Sequence, residues 1–566
     1  MTYKPETPNL CAMHRETVGR LGPRAALRYR RHGVWHDLSW TEYRRLADGA
    51  AAGLIELGVE PGDRVAILSE NRPEWLMADH AMLSAGAVTV PLHAPLSAAQ
   101  VQYQLAHSGA RGIILSGESQ AQKVWAVLGS LPELKFVACF DAIAPGPVRT
   151  VTWSGLVHGG AGSEEVRRRE ANLSPETLAT IIYTSGTTGN PKGVMLTHGN
   201  LLFNAAAALE RAGLDQTDTL LSWLPYSHIY ARTVDHYLTT LGGLTVALGG
   251  PVERLLDDLG QIEPTWLTAV PRFYEKVWAS VEALAPDERR GRLHRLFPRI
   301  KHLSSGGAPL PRHIAEGFFE AGIPLLEGYG LTETSPVITF NSRDSYRIGS
   351  VGTAVAGVEV RIAEDGEILT RGPHVMKGYW DNPQATVQTI GPEGWLHTGD
   401  VGRLDDDGFL YITDRKKDLI ITSGGKNIAP AEVERLLVSH PYIDQAVVYG
   451  DRRAFVTALI VPNFGLLAAK ARELGCEVST GGGGFIVEPK VIAFYQQCVE
   501  EVMESLSHPE RVRSFLLLAQ PFTLAADELT ATLKVRRRHI IQKYELHLAM
   551  LYDDTVVRER AAPAVR

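Results

Sequence analysis

The sequence predicts an α/β protein joined to a smaller α+β domain. The larger part is an N-terminal domain of mostly parallel, helix-covered sheets carrying a small barrel-like subdomain. Three observations support this. The chain has 566 residues, several times the roughly 150 of an average domain. Strand-like and helix-like runs alternate up to about residue 410, the pattern of parallel sheets whose ligands lie at the carboxyl ends of strands. Near Gly349 the texture changes to short β-like runs, and after Arg415 to a compact mixture of helix and strand.

In chain order, Arg64-Val-Ala-Ile-Leu-Ser69 is a short buried strand, 74–85 a helix, and Ala87-Val-Thr-Val-Pro-Leu92 the next strand. Gly86 stands where a helix terminus favours a residue free to take positive φ. The unit repeats with a helix over 98–106 and a strand over 112–115, then with strands over 244–248, 265–270, 300–304 and 323–327. From 349 onward, Glu364-Asp-Gly366 and Asp406-Asp-Gly408 mark hairpin turns. Beyond 415 come a helix over 431–439, strands over 445–450 and 455–461, and a helix over 490–507. The charged run Asp414-Arg-Lys-Lys-Asp418 divides the chain into domains 1–415 and 416–566. Gly481–484 is expected to be a flexible surface loop.

Composition narrows the function classes. Hydrophobic residues make up 45% and charged residues 21%, with a formal net charge of −7. That balance is globular and argues against a nucleic-acid binder working through a basic surface. Cys11, Cys139, Cys476 and Cys498 show no CxxC spacing, so reduced thiols in a cytoplasmic compartment are expected, without a structural zinc site. The first residues lack the apolar core of a signal peptide, and no apolar run is long enough to span a bilayer. A peripheral contact with the inner face of a membrane, and the oligomeric state, stay open.

The segment richest in chemistry is Tyr183-Thr-Ser-Gly-Thr-Thr-Gly-Asn-Pro-Lys-Gly193, with four Ser/Thr hydroxyls, three glycines and a lysine directly after an apolar strand. Composition leaves two readings open, a polar surface turn or a phosphate cradle. In the second, glycines turn N–H groups toward an anion, hydroxyls donate to it and lysine adds a point charge. A Walker A loop is not matched, because Lys192 follows proline and precedes glycine. His228, in Leu224-Pro-Tyr-Ser-His-Ile-Tyr230, reads as a structural histidine when taken alone.

Further motifs follow in a fixed order. They are Ser304-Ser-Gly-Gly-Ala-Pro-Leu310, Glu327-Gly-Tyr-Gly-Leu-Thr-Glu333, Gly394-Trp-Leu-His-Thr-Gly-Asp400, Asp414-Arg-Lys-Lys-Asp-Leu-Ile420, Ser423-Gly-Gly-Lys-Asn-Ile428 and Glu528-Leu-Thr-Ala-Thr-Leu-Lys534. Together they resemble the adenylate-forming enzymes: acyl-CoA synthetases, peptide-synthetase adenylation domains and beetle luciferases. The resemblance covers about residues 20 to 550.

That resemblance implies ATP, Mg²⁺ and CoA as reactants and cofactor. It assigns the β- and γ-phosphates to Thr184, Ser185, Gly186, Thr187, Thr188, Gly189 and Lys192. Thr332 would contact the α-phosphate, and Glu333 would hold Mg²⁺, a hard ion suited to carboxylate oxygen. Gly306, Gly307 and Ala308 would admit adenine closely, with Glu327, Gly328 and Tyr329 beside it. Asp400 would accept the ribose hydroxyls, assisted by Arg415. His228 would act near the substrate carboxylate. Lys534 would bridge that carboxylate and the α-phosphate during adenylation only. Lys417 would be the hinge of a mobile C-terminal domain that later presents Gly424 and Gly425 to the CoA arm. The basic run Arg536-Arg-Arg538 would serve CoA phosphates or anionic headgroups equally well.

The Pro225–Tyr230 motif, the 416–430 stretch and the C-terminal ending point to the long-chain fatty acid–CoA ligase branch. Medium-chain or aromatic acids remain alternatives, as does a catalytically silent nucleotide- or acyl-binding paralogue. Peptide-synthetase adenylation domains usually carry an aspartate in the acyl pocket to meet an amino group, and no convincing counterpart is found here; the long-chain-like ending counts against light production. No carrier domain follows residue 552, which suits soluble CoA.

Overall fold

The computed structural model describes residues 7–552 except 145, 158–163, 185–189, 417–419, 424–426, 505, 509, 524–525, 527 and 530–534. It divides into two compact units. The larger is Met1–Ala363, Leu369–Thr398 and Leu404–Tyr411; the smaller is Glu364–Ile368, Gly399–Arg403 and Ile412–Arg566.

In the larger unit, strand Arg64–Leu68, helix Pro73–Ser84 and strand Val88–Leu92 form the expected βαβ unit. Every residue from Trp75 to Ser84 is buried, so this helix shows no polar face. Val88–Leu92 and Arg64–Leu68 lie parallel at the middle of an eight-stranded sheet. That sheet ends in the antiparallel strands Lys192–Thr197 and Gly378–Tyr379. A second sheet of nine strands is parallel from Leu325–Gly330 through His302–Ser305, Trp266–Ala269, Thr219–Ser222 and Thr245–Leu248 to Ala25–Arg31.

One apolar cluster joins the two sheets. It contains Ile182 and Val194 of the first sheet, Leu220, Trp266 and Leu326 of the second, and Leu201, Phe203 and Ala207 of helix His198–Ala212. That helix starts in a capping box between Thr197 and Asn200 and stops at Gly213, whose φ of 63° is left-handed.

Two features go beyond the sequence expectation. The strands Ala25–Arg31 and Val34–Ser39 form an edge hairpin that turns on His32 and Gly33, both with positive φ. Directly after the Leu224–Tyr230 segment, Ala231–Leu238 is a π-helix with every residue buried, a rare conformation that concentrates at functional sites.

The smaller unit has a three-stranded sheet. Val456–Pro462 pairs antiparallel with Ile443–Tyr449 and parallel with Val512–Leu517. Its helices are Pro430–Val438, Phe464–Glu473, Pro489–Val502 and Arg537–Met550. Gly481–Gly484, expected as a flexible loop, is a turn closed by a hydrogen bond from Gly481 N–H to the Phe485 carbonyl at 2.8 Å. Among the described residues no helix is long and apolar enough to cross a membrane.

Candidate active site

The polar loop after Leu178–Thr184 returns as Lys192–Thr197, and the two strands pair so that Thr184 stands opposite Lys192. Thr184 and Lys192 therefore bracket the glycine-rich segment from paired strand ends. Ser185, Gly186, Thr187, Thr188 and Gly189 lie outside the described residues. Gly193 is required here for space, since a Cβ would sit 2.7 Å from Ile181 Cγ2.

Strands His302–Ser305 and Leu325–Gly330 run parallel with Ser305 opposite Glu327. Their carboxyl ends thus deliver Gly306, Gly307 and Ala308 beside Glu327, Gly328 and Tyr329. Gly306 faces the Tyr230 ring; a Cβ there would lie 3.3 Å from Tyr230 Cζ. The acyl-pocket motif and the expected adenine loop are therefore neighbours. Burial pushes the Glu327 carboxyl up to about 7, against a weak hydrogen bond from Leu310 N–H. Gly330 is sterically fixed, because a Cβ would fall 1.7 Å from the Pro336 carbonyl oxygen. One 3₁₀ turn, Thr332–Thr334, then projects Thr332 and Glu333.

Glu333 is held from two directions. Its carbonyl accepts from Met376 N–H at 2.9 Å, and its Oε1 accepts from the Tyr379 hydroxyl at 2.9 Å. Lys192 Nζ lies 4.8 Å from the centroid of that same tyrosine ring. Among the described residues Glu333 has no cationic partner, so a carboxylate braced by a neutral hydroxyl suits a hard ion such as Mg²⁺. Sequence reasoning missed Tyr379. The aromatic pair after Gly378 was visible, but its pairing with Val194 depends on tertiary register.

His228 is half-buried, and its Nδ1 accepts from Tyr230 N–H at 3.2 Å. Tyr226 is a core residue. It packs on Trp75 with ring centroids 5.3 Å apart, and its hydroxyl donates to Ser222 Oγ at 2.9 Å. Ser222 in turn donates to Asp235 Oδ2 at 2.8 Å, while Thr268 donates to Oδ1 at 2.7 Å. Beside it in the π-helix, Arg232 is fully buried and bonded to Asp79, Thr89, Thr180 and Tyr237.

In the smaller unit, Arg415 Nε lies 3.0 Å from Asp400 Oδ1, and Asp400 is only 4% exposed. The acidic residue and its expected helper are thus together. Next to them Lys416 Nζ is held by Asp365 at 2.6 Å and Glu367 at 2.9 Å, and Gly399 N–H also donates to Glu367. Glu367 carried no sequence signal. Lys417, Gly424 and Gly425 lie outside the described residues. So does Lys534, although the ends of its segment meet: Leu529 bridges Val535, and Arg536 N–H donates to the Glu528 carbonyl at 2.8 Å. Arg537 is taken up structurally by Glu434 and by the Val448 carbonyl at 3.1 Å, so part of the basic run is a fold element.

Comparison with known proteins decides the family. Residues 15–380 match the AMP-binding enzyme family and residues 417–556 the AMP-binding enzyme C-terminal domain.

The chain belongs to the AMP-binding enzymes.

Within this family it is 36% identical to the long-chain-fatty-acid–CoA ligase FadD15 of Mycobacterium bovis, over 92% of this chain and 93% of that protein. To the long-chain-fatty-acid–CoA ligase ACSBG2 of Xenopus laevis it is 31% identical, over 96% and 83%. A solved relative is the O-succinylbenzoate coenzyme A synthetase of Bacillus subtilis in complex with ATP and magnesium ion. It is 27% identical, covering 94% of this chain and 98% of that one, with a TM-score of 0.72.

Proposed function

We propose that this AMP-binding enzyme activates a long-chain fatty acid with ATP and transfers it to CoA. The observation that carries the reading is the convergence of Thr184, Lys192 and Glu333 on one edge of the larger unit, with Tyr379 touching both charged groups. The fatty acid comes from likeness to relatives named long-chain-fatty-acid–CoA ligase.

In the first step a carboxylate oxygen attacks the α-phosphorus, the bond to the β-phosphate oxygen breaks, and pyrophosphate leaves with its electron pair. Two anions must approach, so donors placed where charge builds up do most of the work. Lys192 and the Thr184–Thr188 hydroxyls hold the β- and γ-phosphates, and Thr332 meets the α-phosphate. Mg²⁺, held by Glu333, would neutralise phosphate charge. Gly306, Gly307, Ala308, Glu327, Gly328 and Tyr329 form the adenine side, and Asp400 with Arg415 takes the ribose. His228 positions the acid. Lys534, from a domain beginning near residue 416 and hinged at Lys417, bridges the carboxylate and α-phosphate. In the second step the CoA thiol, past Gly424 and Gly425, loses its proton to solvent and attacks the acyl carbon; the bond from that carbon to the phosphate oxygen breaks, the thioester forms and AMP leaves with the electron pair.

The test is a panel of saturated acids of increasing length, with aromatic acids alongside, scored by AMP release with ATP, Mg²⁺ and CoA. Highest kcat/KM for long chains is expected. A preference for aromatic or medium-chain acids overturns the substrate assignment, and no release with any acid overturns the activity.

A further inference from the structure

We propose that Tyr379 is a positioning residue that keeps the lysine and the carboxylate of the nucleotide site apart, so that each stays available to its own ligand. The proposal rests on the assignment of Lys192 to phosphate and Glu333 to Mg²⁺ made above.

The geometry is specific. Tyr379 is 7% exposed and sits on the two-residue strand Gly378–Tyr379, opposite Val194, two positions beyond Lys192. Its own N–H donates to Thr386 Oγ1 at 2.9 Å. Gly378 lets the strand lie this close: its φ is 141°, and a Cβ would meet Thr386 Cγ2 at 2.7 Å. The ring is thereby fixed with Lys192 Nζ 4.8 Å from its centroid and Glu333 Oε1 2.9 Å from its hydroxyl. Lys192 and Glu333 form no ion pair with each other among the described residues.

Opposite charges this near in a half-buried site would pair if nothing stood between them. A Lys192–Glu333 pair would cancel the two charges the reaction needs, one for phosphate and one for metal. An aromatic face attracts an ammonium but gives it up readily to a phosphate. A phenol donates to a carboxylate without neutralising it. The hydroxyl uses one carboxylate oxygen and leaves the other to a cation.

The test uses equilibrium ATP binding by titration calorimetry at graded Mg²⁺, with melting curves to establish folding. Tyr379→Phe keeps the ring and removes the hydroxyl. It should bind ATP about as the wild type does at saturating Mg²⁺ but require roughly tenfold more Mg²⁺ to reach that state, the scale of one hydrogen bond to a charged group. Tyr379→Leu removes the spacer and should lose roughly tenfold or more in ATP affinity at saturating Mg²⁺. Adding Glu333→Gln to Tyr379→Leu should restore ATP binding measured without Mg²⁺, because Lys192 is released. Unchanged Mg²⁺ dependence in Tyr379→Phe overturns the proposal even if Tyr379→Leu does not fold. Wild-type protein that binds no ATP at any Mg²⁺ level overturns the site assignment instead.

Discussion

Replacing Arg232 with methionine tests whether the buried charge beneath the acyl-pocket motif organises the larger unit. Arg232 and Asp79 are both wholly excluded from solvent. Besides Asp79, the guanidinium bonds Thr180 Oγ1 at 2.7 Å, the Tyr237 hydroxyl at 3.0 Å and Thr89 Oγ1, so it ties helix Pro73–Ser84, two adjacent sheet strands and the π-helix together. Burial alone would raise the Asp79 pKa; Arg232, with His236 and Tyr237, outweighs it and holds the carboxyl well below the usual range. Methionine fills much of the arginine stem volume, which leaves the uncompensated carboxylate as the main loss. Stranding one member of a buried pair costs about 3–5 kcal/mol, and about 4 kcal/mol is roughly a thousandfold in the folding equilibrium. The sign with pH follows. With Arg232 gone, burial dominates and Asp79 takes up a proton at far higher pH, relieving the penalty. Urea unfolding followed by near-UV circular dichroism should show a loss of about 4 kcal/mol at pH 7.5 and roughly half that at pH 5. Asp79→Leu added to Arg232→Met should recover most of it. A loss below about 1 kcal/mol at pH 7.5, or an equal loss at both pH values, would mean that Arg232 does not hold Asp79 charged in the core.

Asp235, whose carboxyl burial pushes up to about 7 against the Thr268 and Ser222 hydroxyls, predicts a second pH effect. Its raised pKa lends stability that is full below the unfolded value of about 4 and lost as pH rises through 7. Asp235→Asn removes that contribution, so the wild-type advantage over the variant should shrink by up to about 4 kcal/mol from pH 4 to pH 8; parallel melting-temperature profiles contradict this. Gly330→Ala forces a Cβ onto the Pro336 carbonyl and should cost about 3 kcal/mol or more while displacing Thr332 and Glu333. Melting and ATP affinity both unchanged would contradict it.

Much of the fold was legible because its signals are local. The run over 64–69, a helix closed at Gly86 and the run over 87–92 give a βαβ unit whatever lies elsewhere, and the structure places its strands at 64–68 and 88–92. The π-helix was not legible. Ala-Arg-Thr-Val-Asp-His-Tyr-Leu238 reads as an ordinary amphipathic helix; its side chains Arg232, Asp235 and His236 are buried because Asp79, Ser222 and Thr268 meet them from distant segments. The same holds for the site. Lys192 and Glu333 are expected from their motifs, whereas Tyr379 meets them only through strand pairing far from either motif; in the smaller unit, Glu367 likewise meets Lys416 and Gly399 only through the fold. Arg537 shows the reverse case, where a basic run reads as a solvated face but one member is spent on Glu434.

In the proposed reaction one chain forms an acyl-adenylate and then a thioester, with Lys534 serving the first step alone. The direct measurement compares the two half-reactions of wild type and Lys534→Ala: palmitate-dependent exchange of pyrophosphate into ATP without CoA, and thioester formation from supplied palmitoyl-adenylate and CoA. Wild type should be active in both, and in the variant exchange should fall roughly a hundredfold or more, the scale of losing one charge-stabilising donor, while its thioester step is spared. Equal loss in both half-reactions, or a wild type that exchanges nothing, contradicts the proposed reaction.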